Sequence, residues 1–173
     1  LRAVDELGDL ARAARGRLAG QLRVGIIPTV APYLLPRLIG DLARDHPGLD
    51  LFVRETLTSK LVEETAAGRL DAAIVALPVE EPAFAETPLF TERFVLVRAA
   101  SDAGKPAPEL DTLRDMRLLL LEEGHSFRDP TLAFCKANAA LPREVLEGST
   151  LSTLVQMASA GIGVTLIPDM ALG

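Results

Sequence analysis

Gly25-Ile26-Ile27-Pro28-Thr29-Val30-Ala31-Pro32-Tyr33-Leu34-Leu35-Pro36 changes its hydrophobic period within a few residues. On its left, Leu22 to Ile27 is a short run rich in β-branched residues, the mark of a buried strand, and Pro28 stops it. On its right, from Pro32 to Arg44, Leu34, Leu35, Leu38, Ile39 and Leu42 fall at helical spacing until His46-Pro47-Gly48 breaks the pattern. The same cycle then repeats. Leu49 to Glu55 reads as a strand, Ser59 to Ala67 as a helix closed by Gly68, and Leu70 to Leu77 as an apolar strand. A β-α-β-α-β order predicts a parallel sheet covered by helices, with ligands outside the carboxyl ends of the strands.

Further along, Phe94 to Val97 is another strand, and Ala103 to Pro108 is a polar loop rich in Pro and Gly. Elements then start again, which places a second lobe here: a turn of helix near Leu110 to Met116 and a strand from Leu118 to Leu121. Asp129 before Pro130 predicts a helix start, with Asp129 as N-cap and the proline at the first helical position, running to about Asn138. Arg143 to Glu147 reads as a strand, Leu151 to Ala160 as a helix stopped by Gly161, and Val164 to Ile167 as a last strand. At the other end, Leu7, Leu10 and Ala14 share a helical face among charges, so residues 1–18 predict a helix entering from outside and ending at Gly20.

Composition narrows the function classes. With 173 residues, 49% of them apolar, the chain can bury a core as one domain or two small lobes. No apolar run nears the roughly 20 residues needed to cross a bilayer, and no signal pattern opens the chain, so a cytoplasmic protein without membrane contact is expected. A net charge of −6 argues against direct DNA binding, because phosphate contact needs a basic stripe. Cys135 is the only cysteine, so no disulfide forms within the chain, and a zinc site would rest on two well-separated histidines. No metal and no cofactor are expected. With no Trp and one Tyr, the stacking platforms of single-stranded nucleic-acid binders are missing too. Nor is there a nucleophile elbow or a phosphate loop, which argues against an enzyme.

Four stretches together resemble the OxyR branch of the LysR-type transcriptional regulators. They are Gly25 to Pro36, the region around Thr58, Glu123-Gly124-His125-Ser126-Phe127-Arg128-Asp129 through Cys135, and Gly161-Ile162-Gly163-Val164-Thr165-Leu166-Ile167-Pro168. The last is common to LysR-type effector domains, whereas the first and third are specific to the branch. The resemblance covers nearly the whole chain. It implies an α/β regulatory domain of two periplasmic-binding-protein-like lobes, helices on mixed, mostly parallel sheets, truncated at its C-terminal end. On that reading residues 1–20 end a linker helix from a winged helix-turn-helix domain, 21–98 form lobe I, 99–168 lobe II, and 169–173 begin the return to lobe I. It also implies a homodimer within a tetramer, with promoter DNA and RNA polymerase met through the full-length protein.

By the same resemblance, the family's peroxide-reactive cysteine falls at Ser126, its disulfide partner at Cys135, and its peroxide-binding threonines at Thr29 and Thr58, with His125, Arg128 and Asp129 beside the reactive position. A serine hydroxyl has no thiolate counterpart near neutral pH and cannot become a sulfenic acid. The chain as it stands therefore does not sense peroxide by that route. Because the surrounding site is kept, Ser126 reads as an engineered Cys-to-Ser substitution holding a reduced-like state, with natural loss of the thiol as the alternative. A thiol there would need a depressed pKa, for which His125, Arg128 and the start of the following helix offer positive charge. Bridging to Cys135 would bring the Cα atoms within roughly 7 Å, which predicts unwinding of the helix's first turns.

Plainer readings stand beside these. Thr29 and Thr58 can cap helices, His125 can be an ordinary loop histidine, Arg128 and Asp129 a cap with an ion pair, and Cys135 a small core residue. The competing function is a LysR-type domain that binds a small organic effector without thiol chemistry. A transport solute-binding protein is disfavoured by the missing signal and the incoming helix.

Overall fold

A computed structural model of the chain describes residues 19–138, 141, 142 and 144–172. The helix expected over 1–18 lies outside the described residues. The chain forms two compact units, Leu1–Val75 and Ala76–Gly173.

In the first unit the β-α-β-α-β order is realised as β1 (Gly20–Ile26), α1 (Ala31–Asp45), β2 (Leu49–Glu55), α2 (Thr58–Ala66) and β3 (Ala72–Ile74). The sheet is parallel with order β2-β1-β3, and Ile26 faces both Glu55 and Ile74. Ile26 on the central strand is fully buried, and Leu61 of α2 packs with Ile27 and Leu70. Removing side chains of this size from water stabilises the fold by about 1.5–3 kcal/mol each. Arg23 clasps β1 to the turn before β3: its Nε and Nη2 donate to the two carboxylate oxygens of Asp71 at 3.1 and 2.6 Å. β3 is shorter than the predicted Leu70 to Leu77. Leu70 is used as a core residue ahead of the strand, and Ile27 N–H donates to Ile74 O as the last rung with β1.

The second unit holds β4 (Phe94–Val97), α3 (Leu110–Asp115), β5 (Leu118–Leu121), α4 (Arg128–Ala137), β6 (Val145–Gly148), α5 (Leu151–Ser159) and β7 (Thr165–Pro168). β4 pairs antiparallel with β7, while β5 runs parallel to β6 and touches Val164 through a parallel bridge at Leu118. The sheets are thus mixed and mostly parallel. All four leucines of β5 are buried, as expected of a strand covered on both faces. Leu118, Leu120, Cys135 and Val164 form one core, joined by Leu96, Leu113, Met116 and Leu132. Thr165 donates its hydroxyl to Leu119 O at 2.9 Å, a buried polar group satisfied across the sheet.

Helix boundaries follow the predicted ones closely, except at α4. It begins at Arg128, so Asp129 is not the N-cap and Pro130 is not the first helical residue. The N-cap is Phe127, already in helical conformation and without a side-chain cap bond. Phe127 O accepts from Thr131 N–H and the Thr131 hydroxyl, and that bonding draws the helix start ahead of the proline. Asp129 instead lies exposed in the first turn, where its charge favours the helix dipole. Among the described residues no helix is long and apolar enough to cross a membrane.

Candidate functional site

In the first unit, Thr29 and Thr58 stand at the carboxyl ends of the neighbouring strands β1 and β2. Thr29 is buried in the turn between Ile27 and α1, a turn closed by Val30 N–H and Ala31 N–H donating to Ile27 O. Thr58 opens α2, and Thr56 N–H donates to Ile26 O, tying the two strand ends together. Neither threonine caps a helix. The N-caps are Val30 and Leu57, both without side-chain cap bonds, and Thr58 Oγ1 is buried without a hydrogen-bond partner. An unpaired buried hydroxyl costs about 1–3 kcal/mol, and a polar ligand at the strand ends would relieve it.

In the second unit, the loop from β5 to α4 carries the other candidates, again at the carboxyl end of a parallel strand pair. Gly124 turns the chain with φ 92°, a conformation L side chains rarely adopt. His125 N–H then donates to Glu122 O, and Arg128 N–H to His125 O at 3.0 Å. Ser126 is half-buried, two residues ahead of Arg128 at the start of α4. His125 Nδ1 is buried without a partner, and burial pushes the imidazole below its ordinary value, with the Glu122 carboxylate opposing. Near neutral pH the ring is therefore uncharged. It offers a hydrogen-bonding ligand contact but not the cation that the sequence reading assigned to it.

Arg128 is engaged locally. Nη1 donates to Leu121 O at 2.7 Å, and Nη2 lies 2.7 Å from Glu147 Oε1. The side chain staples the ends of β5 and β6. What remains to favour an anion at position 126 is the N-terminal end of α4. Cys135, on the same helix, is buried among Leu118, Leu120 and Val164, and burial pushes its thiol up. A buried, protonated thiol is an inert one. With α4 starting at Arg128, about 10 Å of helical rise separates that residue from Cys135, so no bridge from position 126 closes while the helix is formed.

Two participants escaped the sequence reading. Glu147 carried no local signal, because pairing with Arg128 depends on the β5–β6 register. Phe127 did carry one: Phe127, Thr131 and Cys135 are spaced four apart, and all three are buried. Among the described residues no group of acidic, His or Cys side chains is arranged to hold a metal ion.

Comparison with known proteins gives the family. The LysR substrate binding domain family matches residues 15–173. A probable hydrogen peroxide-inducible genes activator from Streptomyces viridosporus is 41% identical over 98% of the chain and 55% of its own length. The chain thus spans about half the length of the curated relatives it matches. A cysteine-to-serine mutant of Corynebacterium glutamicum OxyR with hydrogen peroxide bound superimposes with a TM-score of 0.85 at 37% identity, covering 96% of this chain and 54% of that one. The reduced OxyR regulatory domain from Pseudomonas aeruginosa gives a TM-score of 0.77 at 38% identity, covering 90% and 76%.

Proposed function

The chain belongs to the LysR substrate-binding domain family, in the branch of the OxyR regulatory domains, and from that premise we propose that it is the redox-sensing part of a transcriptional activator of the hydrogen peroxide response, held reduced-like by Ser126. The observation that carries the reading is the placement of Ser126 in the turn ahead of α4, the helix that bears Cys135 in its buried face. A cysteine at 126 would sit where a helix N-terminus stabilises its thiolate. Its sulfur would attack one peroxide oxygen, forming an S–O bond as the O–O bond breaks and the leaving hydroxide takes a proton to become water. Cys135, once out of its core, would then attack that sulfur while its own thiol proton passes to the departing sulfenic oxygen, forming the disulfide and releasing a second water. Closing the bridge requires the first turns of α4 to unwind and Cys135 to leave its core, so oxidation and conformational change are one event.

Ser126 stops this sequence before its first step. Thr29 and Thr58 in the first unit, and His125, Arg128 and Asp129 in the second, are each read as peroxide-binding residues, and Thr58 Oγ1 and His125 Nδ1 are buried polar atoms without partners. We read 21–98 as lobe I and 99–168 as lobe II. The regulator reacts once per activation rather than turning over. Promoter DNA and RNA polymerase are met in the cytoplasm through parts of the protein outside this chain, and the regulatory domains pair as dimers within a tetramer.

The test compares this chain with its Ser126→Cys variant under dilute hydrogen peroxide, following thiol loss and disulfide formation by mass spectrometry. Rapid bridging to Cys135 in the variant alone supports the sensor. If the variant reacts no faster than an ordinary thiol, the unpaired Thr58 and His125 atoms favour the second reading, an effector domain that takes a small polar organic ligand.

A further inference from the structure

Phe127 is only 8% exposed although it precedes the first helical residue of α4. Its ring meets that of Phe94 edge to face, with centroids 4.4 Å apart and planes at 86°. Phe94 opens β4 opposite Pro168 of β7, and the backbone next to it is clamped. Asp169 N–H donates to Arg93 O at 2.8 Å, and Arg93 Nη2 donates to Asp169 Oδ2 at 2.8 Å. Phe94 is therefore a fixed support, even though 44% of it remains exposed.

Phe127 in turn leads the buried stripe of α4. Its carbonyl accepts from Thr131, and Cys135 lies one further turn along the same side. If Phe127 leaves its seat, the first turn of α4 loses both its apolar anchor and its first hydrogen-bond acceptor. Cys135 loses its cover next.

We propose that Phe94 is a positioning residue for position 126: by seating Phe127 it fixes the turn that carries Ser126 and latches the first turn of α4, so that release of this ring contact gates exposure of Cys135. The use of the latch in sensing rests on the redox reading above. The latch itself is a property of the Ser126 chain and is tested without peroxide.

Cys135 is the only cysteine, so its labelling by 5,5′-dithiobis(2-nitrobenzoate) in the native protein reads the opening of α4 directly. An edge-to-face pair contributes enough that Phe94→Ala should speed labelling by about two- to tenfold. Amide exchange should rise across 128–135 and not across β5 or α5, and Phe94→Tyr, which keeps the ring, should label at the original rate. A Phe94→Ala rate within the error of the parent overturns the proposal. So does equal acceleration by Phe94→Tyr, or a rise in exchange spread evenly over β5 and α5, which marks general loss of stability. Should the alanine variant not fold, Phe94→Leu replaces it: faster labelling than the parent supports the latch, and an unchanged rate overturns it. Because none of these readings involves oxidation, a failed latch and a failed sensor are told apart.

Discussion

Ser126 and His125 are chain neighbours under different constraints: the serine is chemically inert toward peroxide, whereas the histidine carries a titratable ring that burial holds toward its neutral form. Burial lowers the His125 pKa from its ordinary 6.5, and Glu122 offsets only part of that. The folded state thus prefers the neutral ring more than the unfolded chain does. The resulting stability is fully present above the ordinary value and is lost as pH falls from there through the lowered folded value. His125→Gln, which cannot charge, should therefore flatten the decline in stability as pH falls below the ordinary histidine value of about 6.5. Urea denaturation at several pH values, with the His125 ring followed by NMR, checks this, and a ring midpoint at or above the ordinary value would show the burial argument to be wrong. At this scale the sequence exposed the residue types of the site but not their electrical state. His125 and Arg128 both looked like cations near position 126, and only the fold shows one ring neutral and the other charge held by Glu147.

Elements in this protein meet at distances that a single methyl group alters. Gly163 precedes β7, and a Cβ there would come within 2.4 Å of Arg117 O, a backbone atom without the freedom of a side-chain tip. The same carbonyl accepts from Val164 N–H, and Leu119 N–H donates to Val164 O, so the methyl would push apart the rungs joining the start of β5 to this segment. Gly163→Ala should cost about 1–3 kcal/mol. Gly40→Ala, inside α1 with nothing near the added carbon, should stabilise by up to about 1 kcal/mol. Denaturation midpoints of the two variants should move in opposite directions; equal or reversed shifts would refute the close-approach argument. The elements themselves were legible where period and breakers agreed, as in β2, β4 and β5, whose predicted limits match. α4 started early because Thr131 bonds back to Phe127, overriding the cap signal at Asp129 and Pro130. The β4–β7 pairing was not legible, since two four-residue apolar strands carry too little pattern to specify register.

Across the whole molecule, both compact units place their candidate residues by one rule, at the carboxyl ends of parallel strands. Thr29 and Thr58 follow β1 and β2, and His125 and Ser126 follow β5. Such ends combine exposed loop backbone with helix N-termini, a setting that receives small polar ligands. Duplex DNA makes a different demand. Its backbone is gripped through clustered Lys and Arg, and binding strength comes largely from released counterions. Here 18 basic residues face 24 acidic ones, giving a net charge of −6. Several of the arginines are already committed, Arg23 to Asp71, Arg93 to Asp169, Arg117 to Glu144 and Arg128 to Glu147. The chain by itself should therefore show no binding to a labelled promoter duplex in fluorescence anisotropy at physiological salt. Lowering the salt should not rescue it, because without a basic stripe few counterions are released. A salt-dependent affinity tighter than about 10 μM, within the range of ordinary non-specific binders, would mean that the regulatory part grips DNA itself, and the assignment of that contact to a separate domain would fall.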